Sequence, residues 1–134
     1  EGEKFGDHGL ALGGAAGLET ERYDLLLGTP PHTKLLGSST NWSDNYPGVH
    51  EDIMFHHPGL LGTQNPAVRA DMTYFTAGNN GAVFSTGSIA WTSALPSFGY
   101  ENDVSRITKN ILDAFSKPGE LPGGAWTEDE KSWR

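Results

Sequence analysis

The sequence predicts an α/β domain, and three observations carry that prediction. A strand pair is written in ADMTYFTAG and AVFSTGS, joined through Gly78, Asn79, Asn80 and Gly81, residues that accept the positive φ of a hairpin turn. In NDVSRITKNILDAFSKPG, Val104, Ile107, Ile111, Ala114 and Phe115 recur at helical spacing, as on one face of an amphipathic helix. The 18 glycines and 8 prolines among 134 residues demand long connections between few regular elements. The expected architecture is a mixed or mostly parallel sheet with an antiparallel hairpin at 70–89 near one edge. A helix over 103–116 would pack across a sheet face.

Taken in order, residues 1–32 hold the glycine-dense run GLALGGAAGLE and close on Pro30 and Pro31, which block both helix and ladder. This region is loop with at most a short helix. TKLLGSS, from Thr33 to Ser39, is a short strand, NWSDNYPG is turn chemistry, and Ile53 to Phe55 can add an edge strand. Asn102 or Asp103 caps the helix and Lys117-Pro118-Gly119 stops it. Burial of Val104, Ile107, Ile111 and Phe115 would stabilise it by roughly 1.5–3 kcal/mol per side chain, so Ile111→Asp should abolish soluble expression. Residues 1–119 form the domain, and residues 120–134 form a polar tail whose Trp126 and Trp133 suit docking on a neighbour.

Seventeen acidic against nine basic residues give a net charge of −8, which argues against a nucleic-acid partner, because that binding is driven by clustered Lys and Arg. With no cysteine, a thiolate nucleophile, a disulfide and a Cys-ligated zinc are all excluded within the chain. No apolar run approaches the roughly 18 residues of a membrane span, so no membrane partner is expected and the anticipated location is cytoplasmic. The chain starts at Glu1, which fits a piece of a longer polypeptide.

Four stretches invite a chemical reading. In α/β folds ligands sit beyond the carboxyl ends of strands, which places Ser85 and Ser88 as candidate substrate-binding residues. The same small residues equally permit a tight strand exit beneath Trp91. No G-x-S-x-G elbow is present, which argues against serine-hydrolase chemistry, and no G-x-G-x-x-G supports dinucleotide binding. In GGAAGLETER, Glu19 follows five small residues and a leucine, a crowded setting that could keep a carboxylate partly dry and suited to proton transfer. The alternative is a solvated turn with Glu21 and Arg22. HEDIMFHHPG gathers His50, Glu51, Asp52, His56 and His57 but fails H-E-x-x-H, since Met54 stands where the second histidine belongs. Trp42, Tyr46, Tyr74, Trp91 and Tyr100 could form an aromatic platform for a sugar or anchor separate parts of the core.

The ordered blocks GLALGGAAGLETERYD, LGTPPH, RADMTYFTAGNNGAVFSTGSIAW and NDVSRITKNILDAF resemble the C-terminal segment of the N,N-dimethylformamidase large (beta) subunit family, from about Gly9 to Phe115. The resemblance implies an amidohydrolase that cleaves the C–N bond of a small linear amide, with a mononuclear iron held by tyrosine and carboxylate side chains that lie outside this chain. It implies the closing part of a glutamine-amidotransferase-like (flavodoxin-like) three-layer domain, and a catalytic Glu19 in the GAAGxE motif. The implied partners are the remainder of the large subunit and a small subunit in a hetero- or homo-oligomer. A metal-assisted route agrees with the absence of cysteine, since amide hydrolysis needs either a nucleophile or a polarised carbonyl and a proton-transfer group. The alternative function is a non-catalytic segment that completes the fold of the larger subunit and supplies an interface.

Overall fold

A computed structural model describes residues 2–46, 61–78, 80–119 and 121, together with the backbone of two short strands at 49–50 and 53–54. Five strands, β1 (Lys34–Ser39), β2 (Val49–His50), β3 (Ile53–Met54), β4 (Ala70–Ala77) and β5 (Gly81–Ser85), precede a one-turn helix α1 (Trp91–Ala94) and the long helix α2 (Asp103–Ser116). β1, β4 and β5 form one sheet in that order and β2 pairs with β3, every strand pairing among the described residues being antiparallel.

That corrects the expected mixed or mostly parallel sheet. The hairpin of β4 and β5 is antiparallel as expected, its strands joined by a short turn with Asn80 at φ 58°; the departure lies in β1, which also runs antiparallel to β4. β1 meets β4 through a bulge between Leu35 and Gly37. The glutamine-amidotransferase-like three-layer arrangement therefore goes beyond what these three strands define.

Strand β4 is central and shows why the hairpin was readable. Its alternation buries Met72, Tyr74 and Thr76, and leaves Thr73, Phe75 and Ala77 half-buried on the other face, the period-2 pattern of a strand covered more on one side. Asp71 breaks the apolar rule and is nevertheless only 2% exposed. Met72 joins Ala15, Trp91, Ala94 and Val104 in the main core, with Phe5, Phe84, Leu95 and Ile107 packed around it. A second cluster joins Trp42, Val68 and Ala70.

α2 begins where the sequence places it. The Asn102 side chain accepts a hydrogen bond from Ser105 N at 2.9 Å, satisfying an otherwise orphaned helix donor. Its packing is narrower than the periodicity suggests. Val104 is fully buried, Ile107 and Ile111 are half-buried, and Leu112 and Phe115 are exposed. Only the first two turns of the helix meet the core, through Val104 and Ile107 and against Trp91, whose indole N–H donates to Thr108 Oγ1 at 2.9 Å. Ile111, where Asp was expected to abolish soluble expression, is half-buried rather than buried, and a half-buried position lets a carboxylate reach water.

Candidate active site

The glycine-dense segment folds into a tight knot. A 3₁₀ turn at Gly14–Ala16 is pinned by Ala15 N donating to Gly6 O at 2.8 Å. A Cβ on Gly17 would stand 1.9 Å from Leu12 O, so only glycine lets the chain double back there. The Tyr46 hydroxyl then donates to Gly17 O at 2.8 Å while its ring packs on Trp42. Tyr46 and Trp42 thus brace the knot. Trp91 and the buried Tyr74 belong to other parts of the core and Tyr100 lies exposed on the surface, so the five aromatics form no common platform.

From this knot the chain emerges at Leu18 and turns at Glu19, which has φ 42°. For a side chain with a Cβ that left-handed conformation costs free energy, and it persists where surrounding structure over-determines it. The restraints are visible on both sides. The Ser88 hydroxyl donates to Leu18 O and accepts from Leu18 N at 3.3 Å, and Thr20 bridges to Ser88 through the backbone. Glu21 N donates to Gly87 O at 2.9 Å, and Asp71 N donates to Glu21 O at 2.8 Å. Glu19 is held by its neighbours while its own side chain is exposed. The partly dry setting expected for it does not form within the described residues, because the crowding acts on the backbone and leaves the carboxylate pointing outward.

Ser85 and Ser88 diverge. Ser85 Oγ accepts from Gly87 N at 3.3 Å and lines a cavity of about 180 Å³ with Thr33, Asp71, Thr73 and Phe75. Ser88 is buried and its hydroxyl serves Leu18 and Ala90 N. A larger cleft of about 620 Å³, among whose walls are Phe5, Gly13, Ala15, Met72, Thr86 and Trp91, lies over the main core. Glu19 lines neither.

Asp71, which sequence reasoning passed over, is the hub beneath this turn. Its side chain accepts from Tyr23 N at 2.7 Å, from Arg69 Nε at 2.7 Å and from the Ser38 hydroxyl, and Arg69 also donates to Tyr23 O at 2.8 Å. A buried charge is tolerated when paired and hydrogen-bonded in this way. Gly87, at φ 72°, fits against the Asp71 backbone, where a Cβ would come within 2.5 Å of Asp71 O. The signal was present in the sequence: an aspartate inside a strand that must be buried needs several donors. Further along, the Arg22 guanidinium beside Asp24 holds that carboxyl below the usual carboxylate range, helped by Leu26 N.

No group of three or more His, Asp or Glu side chains able to hold a metal ion occurs among the described residues. The iron implied by the resemblance finds no ligand set there, and the chemistry considered below rests on Glu19. The side chains of His50, Glu51, Asp52, His56 and His57, and the tail with Trp126 and Trp133, lie outside the described residues. Among the described residues no helix is long and apolar enough to cross a membrane.

A small antiparallel sheet packed with helices, with Glu19 on a strained, doubly anchored turn, makes the described part of the chain an α/β segment. Residues 2–105 match the family model "N,N-dimethylformamidase beta subunit-like, C-terminal", and the chain belongs to that family. Over 120 residues it is 50% identical to the N,N-dimethylformamidase beta subunit of Paracoccus aminophilus and 49% identical to that of an Alcaligenes species. Each alignment covers 90% of this chain but 16% of the relative. The chain therefore spans about a sixth of the length of the relatives it matches.

Proposed function

We propose that this chain is the closing part of the large subunit of an amidohydrolase that cleaves the C–N bond of a small linear amide such as N,N-dimethylformamide, and that Glu19 is its catalytic carboxylate. The observation that carries the reading is the φ of 42° at Glu19, combined with anchoring of Leu18, Thr20 and Glu21 and exposure of the acid itself. Strain of this kind concentrates where a side chain must be aimed. A carboxylate has no basic strength to spare for attack on an amide, but it can take a proton from water and return one to the departing amine. Iron and its ligands would come from the rest of the large subunit, which would also enclose the Glu19 carboxylate.

The exposed large side chains Leu10, Leu26 and Phe98, at 90%, 95% and 74%, favour the companion reading that the segment also completes an interface within the assembly. The two readings separate in a structure of the complete large subunit with a bound amide. The catalytic reading expects the Glu19 carboxylate within about 2.6–3.2 Å of the amide nitrogen or an attacking water. A Glu19 directed at bulk solvent or buried in an interface without substrate leaves only the scaffold.

A further inference from the structure

We infer that Asp71 and Ser88 are positioning residues for the proposed reaction, acting through Glu19 and not on the substrate; the inference rests on the catalytic reading of Glu19. The two come from different elements and grip opposite sides of one turn. Ser88, beyond the end of β5, holds Leu18 by both its N–H and its carbonyl, and bridges to Thr20. Asp71, in β4, holds Glu21 by its backbone and Tyr23 by its carboxylate. Arg69 and Ser38 supply donors to the Asp71 carboxylate, which is 0% exposed. Gly87 closes the clamp, because its lack of a Cβ allows β5's exit to lie on the Asp71 backbone while its carbonyl accepts from Glu21 N. Between these grips Glu19 adopts the left-handed conformation, so the clamp fixes the direction in which its Cα–Cβ bond leaves the backbone.

This assigns Ser88 a role different from substrate contact. Its proton is committed to Leu18 O, and its acceptor side already receives Leu18 N and Ala90 N. Three bonds saturate a hydroxyl.

The test is a set of double-mutant cycles in the complete enzyme, with kcat and KM measured on N,N-dimethylformamide. Ser88→Ala and Asp71→Asn are each made in the wild-type and in the Glu19→Gln background. Misdirecting the acid should lower kcat about 10- to 100-fold, with KM changed less than about twofold. In the Glu19→Gln background the same changes should cost nothing more, because residues that act as one unit are non-additive. The inference is overturned if the losses multiply in that background, if Ser88→Ala acts on KM, or if neither variant slows turnover. Should Asp71→Asn not assemble, Ser38→Ala withdraws one donor from the same carboxylate and must show a smaller kcat loss with the same coupling. Wild-type turnover by Glu19→Gln alone would instead refute the catalytic reading, which keeps the two failures distinct.

Discussion

Replacing Asn102 by alanine tests how the long helix is held. The side chain does two jobs: Oδ1 caps the helix by accepting from Ser105 N at 2.9 Å, and Nδ2 donates to Leu95 O at 3.1 Å and Ser97 O at 2.8 Å. Loss of the cap costs about 1 kcal/mol. Leu95 O keeps a second donor in Ser105 Oγ at 2.7 Å, so the tie adds mainly the bond to Ser97 O, about 0.5–1.5 kcal/mol. The sum, about 1.5–2.5 kcal/mol, raises local opening of the helix start by roughly 10- to 70-fold. Amide hydrogen exchange over residues 103–110 in the complete subunit reads this directly. Asn102→Asp keeps the cap acceptor and its favourable place at the helix N-terminus but removes both Nδ2 bonds, so it should show a smaller, separate loss. Unchanged exchange in Asn102→Ala, or identical exchange in the two variants, would refute the division into cap and tie.

Val104→Ala, at a fully buried site beside Trp91, should lower stability by roughly 1–3 kcal/mol, whereas Phe115→Ala on the exposed end of α2 should stay within about 0.5 kcal/mol; denaturant midpoints of the two variants compare them. Tyr74 carries a buried hydroxyl with no hydrogen-bond partner among the described residues, and burial raises its pKa, so Tyr74→Phe should leave stability unchanged or raise it by up to about 1 kcal/mol. Gly87→Ala forces a Cβ against the Asp71 backbone at positive φ and should cost at least about 2 kcal/mol, seen as lost exchange protection in β4. Because Arg22 depresses the Asp24 pKa, the stabilisation it contributes is present above the unfolded carboxylate pKa and disappears as pH falls through the lowered folded value. Arg22→Ala should move the Asp24 carboxyl titration, followed by NMR, to higher pH.

The hairpin and α2 were legible because each carries its own signal: period-2 burial flanked by turn residues, and a 3.6-residue repeat between a cap and a stop. The direction of β1 was not, since the strand pattern of β4 is the same whichever way its second neighbour runs. The depth of α2 was also hidden, because Ile111 and Phe115 have the right spacing for a core that Val104 enters and Ile107 flanks. In the candidate site, Glu19 stood out through the small residues before it, but the reason for those residues differed from the one inferred. They crowd main chain against main chain at Gly14 and Gly17 and leave the acid itself exposed. Asp71 escaped notice because its partners Tyr23 and Ser38 lie 48 and 33 residues away in the chain, separations no local pattern records.

The most direct measurement is turnover of a small linear amide by the complete enzyme carrying Glu19→Gln, a change that keeps size and removes the basic oxygen. Proton transfer by Glu19 predicts a fall in kcat of about 10²- to 10⁴-fold with the assembly intact. A rate within about twofold of wild type would contradict it.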